Sequence, residues 1–225
     1  MNPTQTNPVN TRVLGALAAG DASTRLKAAL AIGTHPDPGF VDVLIARCAI
    51  EPDFFVRDML TWALTRLPSR ITVPKLRAEL SSELPQARSQ ALHTLSKIGE
   101  SSAWPAITRS LLNDTDDEVA RSAWRAAVVL VPDAEKEKLA AELATQFGRG
   151  DREIRLSLSR ALVALGDMVE PVLHAAMASH DPAVRAHAAA TERLLHDPDA
   201  GFDLAVADAR RVMVLGPDRE ETTRC

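Results

Sequence analysis

The sequence predicts an all-α fold: a right-handed α-solenoid of about six helical hairpins. Three observations predict it. An arginine column, Arg25, Arg57, Arg88, Arg121, Arg155 and Arg185, recurs at intervals of 30–34 residues, the period of helical-repeat architectures. Four residues before five of these arginines stands an aspartate: Asp21, Asp53, Asp117, Asp151 and Asp181. No stretch alternates apolar and polar residues with period two between turn signals, as a half-buried strand would.

Each arginine-bearing segment reads as one helix. An aspartate is a good N-cap because its carboxylate accepts orphan N–H bonds of the first turn. The apolar positions at −1, +3, +7 and +10 from each arginine fall on one helical face. The +7 column is Ile32, Leu64, Leu95, Val128, Leu162 and Glu192. Eleven residues after the arginine stand Pro36, Pro68, Gly99, Pro132 and Gly166, residues that stop a helix.

Between these helices run second amphipathic segments, at 40–50, 73–82, 104–113, 134–146, 169–179 and 202–214, with one more at 9–19 before the first arginine. The chain thus reads as about 13 helices in antiparallel pairs joined by short turns. A pair of short helices cannot bury an apolar face alone, so the pairs stack into one continuous core. This gives a single solenoid domain over residues 8–214, with residues 1–7 and 215–225 as flexible polar termini. Two units depart from the pattern. The third has Leu84-Pro85 in place of the aspartate, and the sixth has Glu192 and His196 where an apolar residue and a breaker are expected. Both departures suit a local bend or an end cap.

Composition narrows the function. The 225 residues carry 26 Lys+Arg and 30 Asp+Glu, a net charge of −4, whereas a chain built around nucleic acid is usually strongly basic. Aromatics are 4%, with no Tyr, so the core is built from Ala, Leu and Val. The two cysteines, Cys48 and Cys225, are too few for a disulfide framework and lack zinc spacing. Cys48 lies in the apolar run 43–50 and reads as a small buried hydrophobe. A reducing cytoplasm is the expected location. The longest clean apolar run, 126–131, is far short of a membrane span, so no membrane partner is expected. Phosphate-loop, dinucleotide, nucleophile-elbow and zinc-helix motifs are missing. No two of the six histidines pair at i, i+4. No catalytic residue, metal site or cofactor is assigned.

The units Asp181-Pro182-Ala183-Val184-Arg185-Ala186-His187-Ala188 and Asp53-Phe54-Phe55-Val56-Arg57 resemble HEAT repeats, and most of all the short bacterial kind also found in phycobiliprotein lyases. The resemblance covers residues 8–214. It implies a ladder between neighbouring units, made by the turn aspartates and the second-helix arginines. Its members here would be Asp21, Arg25, Asp53, Arg57, Arg88, Asp117, Arg121, Asp151, Arg155, Asp181 and Arg185. It also implies a binding scaffold whose arginine-bearing helices line a concave surface.

On that surface the N-terminal part is apolar, with Leu26, Ala29 and Leu30, and Trp62 is its largest ring. Leu92, His93, Ala126, Val129, Val163 and Ala186 point the same way. Trp124 falls on a core position, and Trp104 precedes Pro105 at a helix start. The face carries Arg66, Lys97, Arg125, Arg160 and Arg193 against Asp58, while the outer helices are acid-rich at Asp133, Glu135, Glu137 and Glu142. The expected function is therefore a non-enzymatic scaffold or adaptor whose groove takes another protein or an acidic or amphipathic peptide segment. The expected binding residues are Trp62, Arg66, His93, Arg125, Arg160 and Arg193. The plainer alternative for Trp62 is packing against a neighbouring unit.

A second class stays open. Some HEAT-like proteins are DNA glycosylases for alkylated bases, using a concave Asp with aromatic and basic side chains. Asp58 and Trp62 stand one turn apart here, with Arg66 beyond. A single aromatic argues against that reading, since a flipped base favours several stacking partners.

Overall fold

The structure, a computed structural model, describes the backbone of residues 8–197 and the side chains of residues 11–197. The expected helix at 202–214 and the expected tails at 1–7 and 215–225 lie outside the described residues. Among the described residues all regular structure is helical. The chain divides into two compact units, residues 1–130 and 131–225.

The first unit stacks four hairpins: α1 (Pro8–Leu17) with α2 (Ala22–Thr34), α3 (Val41–Cys48) with α4 (Phe54–Thr65), α5 (Ser69–Glu79) with α6 (Pro85–Ile98), and the one-turn α7 (Arg109–Leu112) with α8 (Asp117–Leu130). Second helices pack on second helices, α2 on α4, α4 on α6 and α6 on α8. The shared core includes Leu44, Leu60, Leu64, Leu92 and Trp124. Among its described residues the second unit has two hairpins, α9 (Lys136–Ala144) with α10 (Arg152–Val163) and α11 (Glu170–Met177) with α12 (Pro182–His196). There α10 packs on α12, over a core that includes Leu143, Leu158, Leu162 and Leu173.

The helix starts follow from their caps. Asp21, Asp53, Asp151 and Asp181 each accept a first-turn N–H, from Thr24 (2.8 Å), Val56 (3.0 Å), Ile154 (3.1 Å) and Ala183 (2.7 Å). Where Leu84 replaces the aspartate no side chain caps α6, and Pro85 at its first position removes one of the orphan N–H groups and presets φ. Gly99 ends α6 in the left-handed conformation, φ 71°, with its N–H on the Leu95 carbonyl.

Several boundaries differ from expectation. Helix α5 begins at Ser69, not Val73, and so carries Pro74 in its interior and not in its first turn. The segment expected as one helix over 104–113 is a 3₁₀ turn, Ser101–Ala106, followed by α7. Pro105 supplies no N–H to continue a helix, and Thr108 starts a new one by accepting the Leu111 N–H. In the fourth hairpin the N-cap is Asp116, not Asp117. It accepts from Glu118 (3.0 Å) and Val119 (3.1 Å). Everything after it is displaced by one position relative to the other units. Ala127 therefore takes the buried place expected of Val128.

Each second helix packs against one or two second helices of its own unit, so the exposed stripe is narrower than expected. Ala29, Leu92, Ala126 and Ala186, expected to face outward, are buried. Leu30, Asp58, Arg66, Lys97, Arg125, Val129 and Arg160 are exposed.

Candidate groove on the second helices of the first unit

The arginine column sits at the turns. Arg25 Nη1 donates to the carbonyls of Ala19 (3.0 Å) and Gly20 (2.8 Å). Arg57 donates to Glu51 (2.9 Å) and Pro52 (2.7 Å). Arg88 donates to Ser82 (2.9 Å) and Glu83 (3.3 Å), and Arg185 to Ser179 (2.8 Å) and His180 (2.9 Å). Each thus ties the helix to the carbonyls five and six residues before it.

Bridges to the following hairpin are made by two acids that the sequence reading did not single out. Arg25 forms a two-bond pair with Glu51 (2.8 and 2.7 Å), and Arg88 does the same with Asp114 (3.0 and 3.1 Å). Both acids lie 26 residues after their arginine and two residues before the next N-cap, Asp53 or Asp116. That spacing is a signal a search for aspartates at the cap alone passes over. The column aspartates contribute at longer range. Glu51, then Asp53 and Asp21, favours the charged form of Arg25. Asp21 itself is held below the usual carboxylate range, chiefly by the Thr24 N–H.

The one-residue displacement changes what Arg121 does. It lies five residues after its cap, where the others lie four, and its Nη1 donates to Glu118 (2.7 Å). It thereby joins a groove of about 450 Å³ that crosses α4, α6 and α8. The groove's cations are Arg57, Lys97, Arg121 and Arg125; its acids are Asp58 and Glu118. His93 lies among them. Burial, with Arg125 and Lys97 beside it and Asp58 opposing, holds its imidazole below the usual range. Although Arg125 is exposed at the groove mouth, partial desolvation by the groove wall and then Arg121 lower its proton affinity as well. The Arg121 Nε is buried without a hydrogen-bond partner. The groove's hydroxyls are engaged: Ser89 donates to the Gln86 carbonyl (3.2 Å), and Ser122 accepts from Arg125 Nη2 (3.3 Å).

Of the expected binding residues, the structure brings His93 and Arg125 together in this groove, with Lys97 and Asp58. Trp62 lies elsewhere on α4. Its ring covers Gly33 of α2, where a Cβ would stand 2.2 Å from ring Cζ3, and it is 38% exposed. The Gly33 position is what allows that close approach. Asp58 and Trp62 therefore face different surroundings. Arg66 is exposed just after α4. In the second unit, Arg160 of α10 is exposed and Arg193 of α12 is half-buried.

The second unit's polar centre is closed. His187, on α12, accepts the Gly148 N–H at Nδ1 (3.1 Å), so the ring proton is on Nε2 and is donated to the Arg155 carbonyl (2.9 Å). Ser159 lies 3.1 Å from Nε2 and 2.7 Å from Thr191 Oγ1, and it is fully buried. This is a core network. Burial pushes the His187 imidazole down to about 4. An unfolded chain takes up that proton near the ordinary 6.5, so stability should fall as pH drops from about 6.5 towards 4. Melting-temperature profiles should be steeper for wild type than for His187→Gln across that window; equal slopes would refute the assignment.

Cys48 is buried, and burial pushes its thiol up to about 12, so it stays protonated. Among the described residues no group of three or more His, Cys, Asp or Glu could hold a metal ion. No described helix is long and apolar enough to cross a membrane.

Residues 41–127, spanning α3 to α8, match the family model of HEAT repeats. None of the curated proteins matches the chain at significance. Among solved structures, the complex of CpcE and CpcF of phycocyanin lyase from Nostoc sp. PCC7120 is similar at 20% identity. The match covers 93% of this chain and 89% of that one, with a TM-score of 0.48. Human deoxyhypusine hydroxylase, in complex with glycerol, is similar at 17% identity over 93% and 90%, with a TM-score of 0.45.

Proposed function

We propose that this chain is a non-enzymatic protein-binding scaffold whose groove on α4, α6 and α8 receives a partner protein through an acidic or amphipathic segment. One observation carries the reading: four cations and a half-buried histidine converge from three successive helices, with two acids among them. Like charges held together in a partly desolvated groove repel, and an anionic partner relieves that repulsion. Arg125 and His93 are the central contacts, and Lys97 and Arg121 flank them. Outside the groove, Trp62 and Arg66 are proposed as further contacts of the first unit, and Arg160 and Arg193 as contacts of the second unit by itself. Cytoplasmic residence suits a chain whose Cys48 is a buried thiol.

A photo-reactive side chain at Lys97 in the full-length protein should cross-link to one stoichiometric protein. That adduct should be lost in an Arg121→Glu, Arg125→Glu double variant. An adduct that survives charge reversal would refute the reading.

The position of Asp58 among these cations favours one second reading, binding of nucleic acid with release of an alkylated base. It requires DNA affinity that falls steeply with salt and base release that is lost in Asp58→Asn.

A further inference from the structure

The groove has an apolar end. Phe54 and Phe55 open α4 and are 64% and 71% exposed. Their rings meet edge to face, with centroids 5.6 Å apart. Phe54 lines the groove, and the Arg57 guanidinium lies 6.0 Å over its ring. Leu84, the residue before the adjacent α6, is half exposed as well. Two adjacent aromatic rings left in water at the start of a helix form a patch of the kind that marks an interaction surface. Arg57 joins this patch to the cations: it touches the ring and lines the same groove.

We infer that Phe54 and Phe55 form the apolar anchor site of the groove, and that its occupant is a linear segment carrying a bulky aliphatic residue next to a run of Asp or Glu. This rests on the binding reading above and specifies its partner. The aliphatic side chain sits against the paired rings, and the acidic side chains run along the groove towards Lys97, Arg121 and Arg125. Charge complementarity selects acidic over basic segments. The rings add what charge alone does not: preference for one particular side chain beside the acids. Trp62, whose ring covers Gly33, lies outside this patch.

The test uses full-length protein and fluorescein-labelled synthetic peptides followed by polarisation. One is an acidic peptide with a single leucine, a second has alanine in place of the leucine, and a third has lysines in place of the acids. The leucine peptide should bind ~10-fold or more tighter than the alanine peptide, as burial of one aliphatic side chain predicts. The Phe54→Ala, Phe55→Ala variant should abolish that difference, binding the leucine and alanine peptides alike. Both rings are exposed, so the variant keeps its fold, and circular dichroism verifies this. Arg125→Glu should weaken both acidic peptides. Equal affinity of the leucine and alanine peptides would overturn the anchor and leave the charged groove standing. Failure of both acidic peptides, or tighter binding of the lysine peptide, would overturn the binding reading as well.

Discussion

Alanine at Glu51 should lower the unfolding free energy by about 3–5 kcal/mol, the cost of breaking a buried ion pair and leaving its partner uncompensated. Glu51 has 0% exposure. Its carboxylate accepts from Arg25 Nε and Nη2, from Arg47 Nε (2.7 Å) and from the Asp53 N–H (3.0 Å). Its backbone carbonyl accepts from Arg57 and from the Gln86 side chain (2.8 Å). One residue thus ties α2, α3, α4 and α6 at a single turn. Burial opposes the charge, but Arg25, the Asp53 N–H and Arg47 win, holding the carboxyl down at about 2. The sign follows: stability is present above the ordinary value of 4.5 and is lost as pH falls from there towards about 2. Urea titrations at neutral pH should show the loss in Glu51→Ala. Glu51→Gln, which keeps the shape, should be the flatter of the two against acid when set beside wild type. An alanine variant within about 1 kcal/mol of wild type would mean the cluster is only a surface pair.

Trp124→Ala should cost about 3–5 kcal/mol, the range for emptying a large aromatic site in a packed core. Trp124 is 0% exposed, and its indole N–H donates to the Leu112 carbonyl (2.8 Å). It joins the short α7 to α8, where α7 has only one turn of its own to hold it. Trp124→Phe separates the two contributions. It fills most of the volume and leaves a buried carbonyl without its donor, so about 1–3 kcal/mol should remain. Denaturant unfolding of both variants checks this, and equal losses would assign the whole effect to the hydrogen bond.

The hairpin repeat was legible because its signals are local and recur. An aspartate before an apolar-periodic helix, an arginine four residues on and a Gly or Pro at the end repeat through the chain. The fourth hairpin was misread by one residue because Asp114, Asp116 and Asp117 crowd its turn, and the sequence alone does not say which caps. That choice decides whether Arg121 holds a turn or lines a groove. The bridging acids escaped notice because they belong to the next hairpin, a tertiary relation. Ala29 and Leu92 were expected to be exposed because helical period gives a direction, whereas burial depends on how closely the flanking helices approach. His93 and Arg125 were legible as neighbours in a column. Trp62 was drawn to the groove by its size, and only Gly33 on the adjacent helix shows where its ring rests.

The carboxylate two residues before the cap is present as Glu51 and as Asp114, but the corresponding residue between them is Ser82. The junction of α4 with α6 is spanned instead by the neutral amide of Gln86, which reaches the Cys48 and Glu51 carbonyls (2.9 and 2.8 Å). Neutral bonds of this kind are about half as strong as charge-assisted ones. Clamps therefore alternate in strength along the first unit, and amide protons near the weaker one should exchange with deuterium ahead of those beside the ionic clamps. The second and third hairpins are also joined by the exposed ion pair of Lys75 with Asp42, so the contrast in strength is confined to the turns that start the second helices.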